Sequence, residues 1–270
     1  KNKRRHIVKD IKIIVATHKK YQMPTEEIYI PIHVGAEGKE KLEYVPDNTG
    51  ENISKKNPYY CELTGLYWAW KNLDAEYIGL VHYRRYFTQK PITLTKSEQE
   101  KFKIVLNQKE VEDILNTTDI ILPKKRRYFI ETLYSHYKHT LHVETLEETR
   151  KIIEEKYPEY AEEFSKIKKR TQAHMFNMFI MKKEILNKYC EWLFDILFEL
   201  EKRMPPTKYD SFHSRYLGRI SELLLDVWIN KNNLEYKEVK IMDMQRINWT
   251  KKVFAFLRAK FLGKKYEKSF

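Results

Sequence analysis

The sequence predicts an α/β fold: one domain with a central mixed sheet and a helical second half. Three observations lead there. A β-branched run, "IKIIVATHK" from Ile11 to Lys19, reads as a first strand. A helical stretch opened by Pro58, "YYCELTGLYWAWKN", passes into a second buried run, "YIGLVHY". The segment "KEVEDILNTTDIILPKK" repeats that helix-to-strand step, with the strand over Asp119 to Leu122.

The remaining elements follow in order. "EIYIPIHVG", Glu27 to Gly35, alternates and reads as a second strand. "VPDNTGENISKKNP" has turn chemistry and separates it from the helix at Pro58. Leu63, Leu66 and Trp70 give that helix its apolar spacing. After "YIGLVHY" a loop is expected. "LEETRKIIEEKYPEYAEEFSKIKKR" reads as helix broken near Pro158. "AHMFNMFIMKK" begins as a short strand and becomes a long helix from about Lys182. "SFHSRYLGRISELLLDVWINKN" is a further amphipathic helix, and "EYKEVKIM" a late strand. No linker interrupts residues 1–245, which are expected to form the domain.

Residues 246–270 differ. "NWTKKVFAFLRAKFLGKKYEKSF" interleaves Trp249, Val253, Phe254, Leu257 and Phe261 with lysines and Arg258. A basic amphipathic helix of this kind is expected to anchor on an anionic membrane surface rather than dock on the domain as a last helix, because the basic residues help lipid binding and do little for docking.

Composition narrows the partners. Hydrophobic residues make up 42% of the 270, enough for a core and against disorder. The net charge of +13 points to an anionic partner. The basic residues are dispersed apart from the tail and the "KKRR" run at 124–127, which disfavours nucleic acid. Cys61 and Cys190 sit in apolar helical runs and read as free thiols of a reducing cytoplasm. No apolar run is long enough to span a membrane. GxGxxG, P-loop, HExxH, GxSxG and CxxC motifs are all missing, as is any D-x-D.

Three groups of residues remain as chemical candidates. The strand "YIGLVHY" runs into His82, Tyr83, Arg84 and Arg85, and guanidiniums at a strand end bind phosphate in bidentate fashion. "SHYKHTLH" spaces His136, His139 and His142 by three, which on a helix permits a metal site but supplies no acid between them. Glu222 stands near a helix start three residues after Arg219, either as a catalytic base or as the partner of that arginine.

Taken together, "DNTGENISKKNPYYCELTGLYWAWKN", "YIGLVHYRRYF", "DIILPKKRRYFIETLYSHY", "AHMFNMFIMKK" and "SELLLDVWI" resemble a bacterial family of capsular and exopolysaccharide biosynthesis proteins. That family was long catalogued as a domain of unknown function and is now regarded as glycosyltransferases. The resemblance runs from about Lys12 to Trp249. It implies a GT-A-like, Rossmann-like fold and transfer of a sugar, galactose or galactofuranose in some members, from a nucleotide-sugar such as a UDP-sugar. The acceptor it implies is a lipid-linked oligosaccharide at the inner face of the cell membrane. The competing expectation is a non-catalytic, membrane-associated partner of a polysaccharide assembly complex.

The resemblance also distributes roles. Ala16, Thr17 and His18 would border the base and ribose. Asp47, Asn48, Thr49, Asn52 and Ile53 would form a second wall of the donor pocket, with Asn57, Tyr60 and Glu62 at the start of the next helix. "VHYRRY" stands where GT-A enzymes commonly keep a metal-binding D-x-D, so His82, Tyr83, Arg84 and Arg85 are expected near the diphosphate with no metal required. Tyr134, His136, His139, His174 and Asn177 fall on the acceptor side. Glu222, with Asp210 as the alternative, would deprotonate the acceptor hydroxyl.

Overall fold

The computed structural model describes residues 8–92 and 97–245. The amphipathic tail at 246–270 lies outside the described residues.

The described strands are β1 (Ile11–Thr17), β2 (Tyr29–His33), β3 (Val45–Pro46), β4 (Tyr77–His82), β5 (Arg85–Thr88), β6 (Ile120–Pro123), β7 (Arg126–Arg127), β8 (Gln172–Ala173), β9 (Phe179–Lys182) and β10 (Lys237–Asp243). The described helices are α1 (Asn57–Tyr60), α2 (Leu63–Asn72), α3 (Glu98–Phe102), α4 (Gln108–Leu115), α5 (Leu133–Thr140), α6 (Val143–Lys156), α7 (Ala161–Ser165), α8 (Lys183–Arg203) and α9 (Tyr216–Lys231).

The main sheet is mixed. β1 lies between β2 and β4 and is parallel to both, with Ala16 opposite Ile32 on one side and His82 on the other. β3 extends the sheet beyond β2, and β9 runs antiparallel between β4 and β6. The first half of β10 pairs with β6 and its second half with β5. The chain therefore builds outward from β1 through β2 and β3, then crosses back through α1 and α2 to β4 on the other side of β1. Such a reversal opens a crevice at the carboxyl ends of the two central strands, where α/β folds bind ligands.

Both faces of the sheet are covered, which is why β1 reads as a continuous apolar run from Ile13 to Ala16. Ile14 and Ala16 face a core built with α2, α6, α8 and α9. Ile11, Ile13 and Val15 face a second core that includes Val111, Ile114 and Leu115 of α4. At Gly79 a Cβ would stand 2.9 Å from Ile180 Cγ1 and 3.1 Å from the Phe179 carbonyl oxygen, so only glycine lets β9 approach β4 there. Asn107 and Glu110 start α4 with a reciprocal capping box.

Three expectations need correction. The segment after His82 is not a loop: Tyr83 and Arg84 form a tight turn and β5 returns antiparallel, with Arg85 opposite His82. The turn keeps negative φ at both residues, so it carries none of the glycine or asparagine that marks a hairpin in sequence. The helix from Pro58 to Asn72 is broken at Cys61, which takes φ 53° and ψ −130°. Asn57 Nδ2 donates to the Cys61 carbonyl at 2.8 Å and holds that break. Glu222 is not at a helix start, because α9 begins at Tyr216 and places it in the second turn. Among the described residues no helix is long and apolar enough to cross a membrane.

Candidate active site

The crevice begins where β1 ends. Thr17 Oγ1 donates to the Lys19 carbonyl at 2.7 Å and turns the chain outward, leaving His18 and Lys19 exposed beyond the buried Ala16 and Thr17. Tyr83, whose N–H donates to the Ala16 carbonyl at 3.2 Å, forms a floor for cations. The His18 ring meets it edge-on at 5.5 Å, and the Lys19 ammonium and Arg84 guanidinium lie over it at 5.4 and 5.2 Å. Partial burial, and then the charges of Lys19, Arg84, Lys39 and Arg215, lower the His18 pKa. The mouth of the crevice is thus a cluster of positive groups gathered from four chain segments.

Arg84 and Arg85 do not act as a pair. Arg84 is at the exposed turn, whereas Arg85 Nε donates to Asp243 Oδ1 at 2.9 Å and its guanidinium packs over Phe176 at 4.3 Å. Arg85 therefore ties β5 to β10, and Arg84 keeps its charge toward the crevice mouth.

Deeper in, a peptide link organises the site. Phe176 and Asn177 both take left-handed backbone conformations, φ 77° and 52°, which non-glycine residues adopt at a cost. This geometry turns the Phe176 carbonyl to His82, whose Nε2–H donates to it at 2.6 Å, and the Phe176 N–H to the Glu222 carboxylate. Asn177 Nδ2 donates to Glu62 Oε1 at 2.8 Å and to the Gly218 carbonyl at 3.0 Å, while its Oδ1 accepts from Ser221 Oγ at 2.8 Å. Asn177 thereby joins the starts of α2 and α9 beneath the crevice.

Glu222 is the most perturbed acid of the site. Burial first, and then the neighbouring Glu62 carboxylate, push its pKa up to about 7, against weaker opposing effects of the Phe176 N–H, Arg126 and Arg219. Burial likewise lowers the His82 pKa, against the opposing effect of the Glu62 carboxylate. Arg219 stacks on Phe212 at 3.9 Å and has its own pKa lowered by burial. Its buried Nη1 finds no acceptor among the described residues. Arg215, one turn earlier, donates from Nε to Cys61 Sγ at 3.1 Å. Burial pushes the Cys61 thiol up to about 11, which leaves it unreactive.

Asp210 is built differently. It is exposed, accepts from the N–H groups of Phe212 and His213 at 2.8 and 3.0 Å, and meets His213 Nδ1 at 2.5 Å. The His213 contact leads the effects that hold its pKa down at about 2.

The other candidates fall into separate places. Asp47 is fully buried and accepts from the Gly35 and Ala36 N–H groups at 2.7 and 3.0 Å and from Ser54 Oγ, so it shapes the turn after β2. Gly35 takes φ 65° there, and a Cβ on it would strike Asn57 at 2.4 Å. Asn48 donates to Glu37 at 3.1 Å, Thr49 Oγ1 accepts from Trp68 Nε1 at 2.9 Å, and Asn52 accepts from the Ser54 N–H at 3.2 Å. Ile53 packs against the core, and the buried Tyr60 donates to Glu201 at 2.9 Å. On α5, Tyr134 donates to Glu147 at 2.8 Å.

His136 and His139 both meet the buried Glu131, at 3.0 and 2.6 Å, which is an acid that the spacing of the histidines did not reveal. Among the described residues no three His, Cys, Asp or Glu side chains form a group that could hold a metal ion. His174 is fully enclosed, with one ring nitrogen bonded to Asp226 and the other 3.0 Å from Glu238, and so has no nitrogen left for a sugar.

Residues 12–233, from β1 through α9, match the family described as a domain of unknown function, DUF4422. The chain belongs to this family. A solved structure extends the likeness: the DUF4422 chain matches the apo structure of WbbM, a bifunctional glycosyltransferase, with a TM-score of 0.80 and 32% sequence identity. The match covers 88% of this chain and 46% of the WbbM chain, so this chain spans about half of that protein's length. No curated protein matches the DUF4422 chain in sequence. The shared mixed α/β architecture is thus that of a glycosyltransferase structure, and His18, His82, Arg84 and Glu222 all lie within residues 12–233 that match the family.

Proposed function

We propose that the protein is a glycosyltransferase that moves a sugar from a nucleotide-linked donor, a UDP-sugar, to a hydroxyl of a lipid-linked saccharide in surface-polysaccharide synthesis. The observation that carries this reading is Glu222: a half-buried carboxylate with pKa near 7, bonded to the Phe176 N–H behind a mouth lined with cations. A general base works best when its pKa lies near the working pH. Asp210, at about 2, binds protons too weakly for that task. The likeness to WbbM supports the same class of reaction.

In this reading the donor diphosphate sits at the ends of β1 and β4, faced by Arg84, Lys19, Lys39 and Arg215. These fixed charges stabilise the negative charge that grows on the leaving nucleotide, the task that a metal ion performs elsewhere. The acceptor hydroxyl attacks the anomeric carbon, its proton passes to Glu222, and the bond to the diphosphate oxygen breaks with its electron pair. Arg219 offers its unpartnered N–H to the sugar or acceptor. A single displacement of this kind inverts the anomeric centre. Transfer from UDP-sugars is expected to persist in EDTA without added Mg²⁺ or Mn²⁺. Activity abolished by EDTA and restored by either ion would refute the metal-free site.

Two substitutions separate the roles within the crevice. Arg84→Ala is expected to raise the donor KM by about tenfold or more, as loss of a charge-assisted contact to phosphate does. Arg85→Ala should raise it less, because that side chain already binds Asp243. Equal effects in donor titrations would contradict this division. Glu62→Gln removes the like charge that raises Glu222, in a setting that also includes Arg126, Arg219 and His82. The acidic limb of its kcat/KM profile is expected to move to lower pH, by about half a unit to one unit. An unmoved limb would remove Glu62 from this role.

A further inference from the structure

Between β6 and α5 the chain forms β7, which pairs antiparallel with β8, the strand just before β9, in a small ribbon separate from the main sheet. Arg126 lies opposite Ala173 and Arg127 opposite Gln172. The Tyr128 N–H donates to the Thr171 carbonyl, and the Leu133 N–H to the Arg170 carbonyl, both at 2.7 Å. These bonds set two basic runs side by side, "KKRR" at 124–127 and "KKR" at 168–170.

Part of that charge is internally engaged. Lys166 and Arg170 both pair with Glu163, Lys125 donates to Tyr236 at 3.1 Å, and Arg126 lies over Tyr128 at 5.1 Å. Lys124, Arg127, Lys168 and Lys169 are exposed, and none of them forms an ion pair among the described residues. Lys168 lies over the Tyr134 ring at 5.3 Å.

The loop that leaves this ribbon carries Phe129, 88% exposed, and Ile130, 64% exposed. Single exposed apolar residues are ordinary. An aromatic and an aliphatic side chain standing together at a tip, beside exposed lysines and an exposed arginine, match what an anionic bilayer interface binds. The alternatives fit less well. Single-stranded nucleic acid needs aromatic rings lining a groove, and Phe129 protrudes. A stable protein interface needs an apolar core far larger than two side chains.

We infer that the β7–β8 ribbon and its 128–130 loop dock on an anionic lipid surface, with Phe129 and Ile130 entering the headgroup boundary and Lys124, Arg127, Lys168 and Lys169 facing lipid phosphates. This surface is built from residues other than those of the 246–270 segment, and it does not depend on the catalytic reading. Its consequence is positional: α5, with Tyr134, His136 and His139, starts directly after the loop and so lies next to the bilayer from which a lipid-linked acceptor would be presented.

The test uses the full chain, sedimented with vesicles of phosphatidylcholine alone or mixed equally with phosphatidylglycerol. Wild type is expected to bind only the mixed vesicles. The double variants Phe129→Ser/Ile130→Ser and Lys168→Glu/Lys169→Glu are each expected to bind about tenfold more weakly or worse. Raising the salt should narrow the gap for the charge variant only. Circular dichroism and melting should be unchanged in both, since the replaced side chains are exposed. Wild-type-like vesicle binding by both variants would overturn the inference and assign lipid affinity elsewhere in the chain. It would also be overturned if the variants lost binding to single-stranded RNA while keeping that to vesicles, or if wild type did not bind anionic vesicles.

Discussion

Glu222→Gln is expected to lower kcat by about 10²- to 10⁴-fold, the usual contribution of a general base, with little change in donor affinity. The glutamine keeps the shape and can still accept from the Phe176 N–H, but it cannot take the acceptor proton. The same substitution should stabilise the fold at neutral and alkaline pH. The folded pKa of about 7 stands above the ordinary value of 4.5. Below about pH 4.5 the carboxyl is protonated in both states, and it costs nothing. Between the two values the unfolded chain releases a proton that the folded chain retains, so stability falls as pH rises, and above pH 7 the deficit is complete. Glu222 is only partly enclosed, so the gain for Gln is about 1–2 kcal/mol, read as a higher melting temperature at pH 8 than wild type and parity at pH 4. For wild type, kcat/KM should rise with pH through about 7 and then level. Full activity of the Gln variant, or a wild-type profile flat from pH 5 to 8, would sink the assignment.

The largest expected stability effect lies behind the site. Asp226→Ala should destabilise the protein by about 3–5 kcal/mol. Asp226 is buried on α9 and receives both the ring nitrogen and, at 3.0 Å, the backbone N–H of the fully enclosed His174. Removing the carboxylate strands two buried donors beside a cavity, and the Phe176–Asn177 link that holds Glu222 begins two residues after His174. In a chain of this size such a loss lowers the melting temperature by about 10 °C. A change under about 1 kcal/mol in denaturant unfolding would show that the pair is replaceable by solvent.

Much of the framework was legible because both faces of the sheet are buried. β1 from Ile13 to Ala16, β4 from Tyr77 to Val81, β6, and β9 from Phe179 to Met181 are apolar runs, and Pro158 ends α6 where a proline must. β5 was hidden because its turn uses Tyr83 and Arg84, and its partner β10 lies at the other end of the chain. The site was legible as single residues and not as a network. His82 and Glu222 were nameable from a strand end and an arginine spacing. Their connection through Phe176 was not, because a left-handed phenylalanine leaves no mark in a sequence. Glu62 was visible only as a helix-start residue, since Asn177, which positions it, lies 115 residues away. Arg84 and Arg85 look equivalent in sequence, and only Asp243 separates them. The enclosure of His174 likewise comes from Asp226 and Glu238, both far along the chain.

The central claim is that the crevice between β1 and β4 binds a nucleotide-sugar through fixed cations. Calorimetric titration of the full chain with UDP-, GDP- and dTDP-sugars in EDTA tests it most directly. The expected result is saturable binding of a UDP-sugar, weakened about tenfold or more by Arg84→Ala. No binding of any nucleotide-sugar, with or without Mg²⁺ or Mn²⁺, would contradict it.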